Sequence, residues 1–325
     1  MITNVQLEYL VAVDRYGSFS KAAEQCFVTQ PTLSMQIQKL EAELGVNLFD
    51  RGRKPVQATP MGKLVIDRAY RALQEIKAIA EVVREQQEAL SGELRLGVIP
   101  TLGPYLLPRF IPDFLKTHTR VRVTVRELLT ADIVEALRHD MLDVGIAATP
   151  LGAAGIRERP LFYEPFYGFV AAGHRLAEQT HLSTGDILPD EMILMDSSHC
   201  LHGQVSQVCM GTLATRDEKS VRLRFVGGSL EGLMRIVESG HGITLLPELA
   251  AMTLPDASRG LLRPLKKPVP AREVSMITHG DGIKTRLLEV LRKSILDGLP
   301  QGLKAKKKGW RIIDAKPDRT PRDPG

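Results

Sequence analysis

The segment DSSHCLHGQVSQVC, residues 196–209, gathers the side chains of this sequence best suited to covalent chemistry. Cys200 and Cys209 have eight residues between them, and His199 and His202 flank the first. Three readings suit such a group. Two thiols in an α/β domain are often inert packing. Two histidines and two cysteines also make four metal donors, but the tight CxxC pair of structural zinc sites is missing, and no metal site is expected. Finally, a cysteine among polar neighbours is a nucleophile, because the thiolate is the reactive form and such neighbours stabilise it. The residues alone leave these readings open.

The segment lies in a stretch of alternating strands and helices that begins at Glu93. Strand patterns run over 93–99 (ELRLGVI), 120–128 and 142–148, with helical stretches near 105–118 and 131–139 between them. The order recurs with MILMD (192–196), RLRFV (222–226), a helix over 229–239 and GITLLP (242–247). Crossings near 162–170 and 266–276 would join two such lobes into a hinged α/β binding domain. Ligands in open α/β sheets bind beyond the strand C-termini, so Thr101 and Ser229 are expected at the cleft, where helix N-termini favour an anion or polar ligand.

Before this domain lies a helix with Thr59 as cap and Pro60 in its first turn, continuing to about Leu90 and broken at Ser91-Gly92. Val65, Ala69, Ala72, Ile76, Ile79 and Val83 recur at heptad steps along it, the pattern of a strut that pairs two copies.

At the N-terminus three short helical patterns fit into residues 5–53. The first stops at Gly17. The second follows Ser18 and Ser20, and a four-residue turn, Phe27 to Gln30, leads to the third. Thr29 caps the third helix, Pro31 lies in its first turn and Gly45 ends it. This is a helix-turn-helix, whose second helix can lie in a DNA major groove. Leu33, Ile37, Leu40 and Leu44 form its buried stripe. Gln30, Pro31, Thr32, Ser34, Met35, Gln38 and Lys39 are left facing outward, where small hydroxyls and amides suit base edges and phosphates. Arg51, Arg53 and Lys54 follow, within reach of phosphates.

Residues 4–60 resemble the winged helix-turn-helix head of the LysR-type transcriptional regulators. The resemblance is carried by QLEYLVAV, by SFSKAAEQCFVTQPTLSMQIQKLEAELGVNLFDR and by the wing RKPVQATPMG. It implies a reader of double-stranded operator DNA that works as a homodimer or homotetramer on paired half-sites. RNA polymerase is a further partner such a regulator would meet. It also implies a downstream effector domain akin to periplasmic solute-binding proteins, so the resemblance extends to about residue 300. The expected organisation is a DNA-binding head over 1–60, a linker helix over 61–91 and an effector domain over 92–300. Within the last, one lobe spans about 92–163 and 271–300, and the other about 164–270.

Composition adds limits. Forty-three basic against 38 acidic residues give a net charge of +5, but residues 301–325 alone hold eight basic and three acidic side chains. That lysine-rich tail accounts for the whole excess, so net charge is no argument for DNA binding, and the tail reads as disordered. No apolar run reaches the length of about 18 residues that a membrane span needs, and no basic-then-apolar leader opens the chain. A cytoplasmic protein is expected, in a reducing compartment where three cysteines make no disulfide framework.

IPTLGPYLLP (99–108), with HCL and the gap before the second cysteine, is similar to the peroxide-sensing activators of the LysR family. That similarity implies Cys200 as the thiol that peroxide oxidises and Cys209 as its resolving partner, with no cofactor. Peroxide is attacked by a thiolate, so Cys200 needs its pKa lowered or its anion hydrogen-bonded; His199, Thr101 and Thr130 are the available groups. Thr101, through a water, is expected to protonate the leaving oxygen. Arg224 stands about where relatives place a histidine, and Arg272 is the basic residue expected on a later strand. Were residues 200–209 helical, their nine steps would part the two Cα atoms by about 13 Å, against the 7 Å or so that a disulfide tolerates. Closing the bond would refold the segment. A LysR-type regulator of a small metabolite would leave the cysteines unexplained, and a thiol peroxidase would leave the head idle.

Overall fold

The computed structural model describes residues 1–85, 90–209, 223–225, 229–280 and 284–315. Two compact units result, the first made of Met1–Leu90, Glu135–Asp143 and Asp281–Thr285 and the second of Ser91–Val134, Val144–Gly280 and Arg286–Gly325.

In the first unit, α1 (Asn4–Tyr16), α2 (Phe19–Gln25) and α3 (Gln30–Leu44) precede a two-stranded wing, β1 (Phe49–Asp50) and β2 (Gln57–Ala58), and the long α4 (Pro60–Glu85). Each boundary has a local cause. Thr3 and Gln6 form a capping box on α1, and Gly17 ends it in the left-handed region at φ 58°. Ser18 and Thr29 accept backbone N–H bonds at the starts of α2 and α3, and Gly45 closes α3 at φ 70°. Leu33, Ile37 and Leu40 are fully buried against Leu10, Val13, Ala22 and Leu48, while Leu44 is packed at the edge of that core. Each such aliphatic side chain contributes about 1.5–3 kcal/mol on burial. The turn between α2 and α3 is Cys26–Thr29, one residue earlier than the sequence suggests, because the Thr29 cap puts Gln30 inside the helix.

The heptad pattern of α4 is divided. Ala69 is buried and Val65 half-buried against the head's own core, whereas Ile76 and Ile79 stand 45% and 70% exposed. Only the second half of the pattern leaves an apolar edge open; the Val83 side chain lies outside the described residues.

The second unit runs β3 (Gly92–Val98), α5 (Gly103–Leu106), α6 (Ile111–Thr117), β4 (Val121–Glu127), α7 (Thr130–Arg138), β5 (Val144–Thr149) and β6 (Ile156–Val170). There follow β7 (Ile193–Met195), α8 (Cys200–Val208), β8 (Leu223–Phe225), α9 (Leu230–Glu238), β9 (Ile243–Pro247), α10 (Glu248–Ala251) and α11 (Asp256–Arg259). The unit ends with β10 (Leu262–Pro264), β11 (Val269–His279), α12 (Thr285–Gly298) and β12 (Trp310–Ile312). β3 pairs in parallel with β4 and β5, as alternating strands and helices require. β6 and β11 are the long crossing strands; they pair antiparallel with each other along most of their length. β6 then continues to β9 and β10, so strands of both lobes belong to one mixed sheet of eight. Among the described residues the second lobe's own parallel strand pair is β7 with β8, tied to β9 by a parallel bridge from Met192 to Ile243.

The tail departs from expectation. Residues 301–303 form a 3-10 turn, β12 adds in parallel to the start of β11, and Leu303, Ile313 and Ala315 are buried. A few apolar residues docked on a ready strand edge outweigh the polar composition that suggested disorder. Residues 316–325 lie outside the described part.

Candidate functional site

Cys200 opens α8 and Cys209 closes it as the residue after the last turn, and both are free thiols. A helix across all nine steps holds their Cα atoms about 13 Å apart, too far for a disulfide in this conformation. The helix also contains a weakness. Gln204 is fully buried, and neither end of its amide has a hydrogen-bond partner. Each such unsatisfied buried group costs about 1–3 kcal/mol.

The surroundings of the Cys200 sulfur come from separate elements of the second unit. Burial pushes its pKa up; the Arg272 charge, the Thr130 and Thr101 hydroxyls and the Leu201 N–H all pull the other way. Some of the residue's surface is open to solvent, yet burial prevails at the thiol itself. Burial thus works against the thiolate, while Arg272, Thr130 and Thr101 are the groups that favour it, the second of the two ways the sequence left open for supporting the anion. At Cys209 burial pushes the thiol up to about 12.

Arg272 organises this pocket. It lies on β11 directly across from Glu164 on β6, and both are fully buried. Its Nε donates to Glu164 Oε1 at 2.8 Å, its Nη1 to Thr101 Oγ1 at 3.1 Å and its Nη2 to the Thr101 carbonyl at 3.1 Å. Glu164 Oε2 in turn accepts from the Leu249 N–H at 2.9 Å. Because Thr101 Oγ1 accepts from the guanidinium, its own O–H is free to point at the sulfur or at a bound oxygen. Thr130, at the start of α7, has a buried hydroxyl beside the sulfur that favours its anion.

Two further expected residues have partners of their own, and the side chain of a third lies outside the described residues. His199, next to Cys200 in sequence, turns to Asp196 with Nε2 3.8 Å from Oδ2, and burial lowers its pKa. His199 is not among the groups acting on the sulfur, and the charge that favours the thiolate is that of Arg272. Ser229 is exposed and its hydroxyl is used in capping α9, accepting from the Gly232 N–H at 3.2 Å. Arg224 lies on β8, but its side chain is outside the described residues. Among the described residues no group of three or more His, Cys, Asp or Glu is placed to hold a metal.

Glu164 was missed in the sequence. Its signal is a lone carboxylate in the apolar run LFYEPFYGFV, matched by a lone arginine in VPAREVSMI; their register makes them a pair.

In the first unit, Gln30, Pro31, Thr32, Met35, Gln38 and Lys39 are exposed along α3, and Ser34 is half-buried. Arg51 already has partners within the head. It reaches Ser34 Oγ at 3.2 Å and Glu41 Oε2 at 3.0 Å, and its guanidinium lies 4.7 Å over the Phe19 ring. Glu41, mostly buried, also accepts the Leu48 N–H at 2.8 Å, so one carboxylate fixes the wing against the reading helix. Arg53 pairs with Asp50 at 3.1 Å and with Gln57 at 3.2 Å; Lys54 is exposed beside it. Cys26 is half-buried against the head core, and burial raises its pKa, which suits inert packing.

Comparison with known proteins agrees with this geometry. Residues 5–63 match the bacterial regulatory helix-turn-helix protein, lysR family, and residues 87–300 match the LysR substrate binding domain. The hydrogen peroxide-inducible genes activator of Haemophilus influenzae is 35% identical over 300 residues, covering 90% of this chain and 98% of its own length. The DNA-binding transcriptional dual regulator OxyR of Escherichia coli is 36% identical over 290 residues, covering 88% of this chain and 93% of its own. A full-length OxyR variant from Pseudomonas aeruginosa superposes with a TM-score of 0.75 at 31% identity, over 91% of this chain and 95% of that one. With a helix-turn-helix head, a two-lobe α/β domain after it and both family matches in that order, the chain belongs to the LysR family of bacterial regulatory proteins.

Proposed function

We propose that the chain is a DNA-binding transcriptional regulator that senses hydrogen peroxide through Cys200 and Cys209. Residues 1–60 read double-stranded DNA, residues 61–91 join copies into a dimer or tetramer, and residues 92–300 sense the oxidant. The carrying observation is the placement of Cys200 beside Arg272, Thr101 and Thr130, with a second free thiol at the other end of one helix. An OxyR variant from Corynebacterium glutamicum described as bound to hydrogen peroxide, 26% identical with a TM-score of 0.58, supports the reading.

Peroxide enters with its oxygens near the Thr101 and Thr130 hydroxyls. The Cys200 thiol gives up its proton to the donors around it, the thiolate attacks one oxygen and the O–O bond breaks. The departing oxygen leaves as water after taking a proton, delivered through the Thr101 hydroxyl, and Cys200 becomes a sulfenic acid. The Cys209 sulfur then displaces hydroxide from that sulfenic acid; with the thiol's proton this leaves as a second water. Two thiols have given two electrons to one peroxide, and a Cys200–Cys209 disulfide remains. Because the bond cannot form across an intact α8, its closure unwinds the helix and changes the packing of the lobe that holds it. The structural consequence is a changed spacing of the DNA heads and a changed footprint, read by RNA polymerase in the cytoplasm.

The test is a footprint on operator DNA with and without peroxide. The parent protein changes its protected region, and Cys200→Ser protein does not. An unchanged parent footprint would remove the proposal. A thiol peroxidase would instead turn over many equivalents of peroxide with a dithiol reductant, which a stoichiometric sensor does not.

A further inference from the structure

Beyond residue 300, where the family match ends, the chain continues into a segment that returns to the redox site. Trp310, Arg311 and Ile312 pair in parallel with Val269, Pro270 and Ala271 of β11, the residues just before Arg272. The Ile313 N–H donates to the Ala271 carbonyl at 2.8 Å, and the Ile313 and Ala315 side chains are 4% and 1% exposed. One residue further along, the Asp314 carbonyl accepts from Gln207 Nε2 at 3.1 Å. Gln207 belongs to α8, two residues before Cys209. The segment thus bridges the helix that holds both thiols and the strand that holds the arginine.

We propose that residues 310–315 are a redox-released strap, docked on α8 and β11 while Cys200 and Cys209 are thiols and freed when they join. This rests on the peroxide-sensing reading above. The argument is geometric. A disulfide needs the two Cα atoms to approach from about 13 Å to within about 7 Å, which no rotation of side chains on an intact helix supplies. The turn bearing Gln207 and Cys209 is therefore among the residues that move, and Gln207 cannot keep its bond to Asp314 while it does. Linkage makes the effect reciprocal: a strap that prefers the helical form lowers the unwound population from which the bond closes, and unwinding weakens docking of the strap by the same factor. The strap sets a threshold on the sensor, so that closure of the disulfide is held back until the segment lets go.

Trp310 is the only tryptophan of the chain, so its emission reports the strap directly. Full-length protein is titrated with hydrogen peroxide while Trp310 emission, tryptic cleavage after Lys308 and Arg311, and the Cys200–Cys209 bond by mass spectrometry are followed together. The expected result is a red shift and new cleavage with the time course of the disulfide, both absent in Cys209→Ser protein. A chain ending at residue 309 should form the disulfide at least about fivefold faster, the low end of ordinary coupling. Gln207→Leu, which removes only the tie from α8, should accelerate it by a smaller factor. A disulfide that forms while emission and cleavage stay as before overturns the strap and leaves the sensor reading intact. So does a parental rate in both variants. Absence of any disulfide overturns both.

Discussion

Replacing Arg272 with methionine removes the positive charge that most opposes burial at the Cys200 thiol. The same change leaves Glu164, fully buried, with the Leu249 N–H as its remaining described bond. Breaking a buried ion pair from one side costs about 3–5 kcal/mol, so Arg272→Met alone should unfold the second unit at markedly lower urea. That loss says nothing about sensing. The informative protein is Arg272→Met with Glu164→Met, which removes both charges from the two paired strands. Exchanging a whole buried pair for apolar side chains is often neutral or stabilising by about 1–4 kcal/mol, so the urea midpoint should recover. Peroxide reactivity should not. Arg272 is the largest influence favouring the thiolate, whereas Glu164 is not among the groups acting on it. Loss of a single pKa unit of support, about 1.4 kcal/mol, cuts the thiolate population about tenfold. The assay pairs urea unfolding followed by Trp310 emission with the rate of Cys200 thiol loss under excess peroxide. A doubly substituted protein that folds like the parent and oxidises within twofold of the parent rate would refute the role given to Arg272.

Other outcomes follow from the same geometry. Gln204→Met fills a buried site without unsatisfied amide atoms; it should stabilise α8 by about 1–3 kcal/mol and slow disulfide closure roughly tenfold, read by non-reducing mass spectrometry. Burial raises both Cys200 and Cys209, so the folded chain keeps protons that the unfolded chain releases. This stability is complete below the ordinary thiol pKa of about 8.5 and is lost as pH rises through the folded values. The urea midpoint should therefore fall above about pH 8.5, and less steeply in protein with both cysteines changed to serine. Glu41→Ala strands the Leu48 N–H and frees Arg51; about 1–3 kcal/mol of head stability should go, together with operator affinity in a gel-shift titration.

Much of this architecture could be read from local rules. Thr29, Gly45 and the stripe Leu33, Ile37, Leu40 define the reading helix from sequence alone, because caps and periodicity act within a few residues. The strand pattern of the second unit was legible for the same reason. What escaped the sequence depends on contacts between distant residues. Glu164 and Arg272 are separated by a long stretch of chain and meet only through strand register. His199 is adjacent to Cys200 in sequence, yet the turn at the start of α8 sends its ring to Asp196. Arg51 looked like a free cation until Glu41, on the buried side of its helix, was seen to hold it. The tail was misread because its polar composition hid Ile313 and Ala315, which find a sheet edge already made.

The central claim is that two sulfurs at opposite ends of one helix exchange their protons for a bond when peroxide arrives. Full-length protein exposed to one equivalent of hydrogen peroxide and digested without reductant should yield a peptide pair joined through Cys200 and Cys209. Recovery of both cysteines as unmodified thiols would contradict the account.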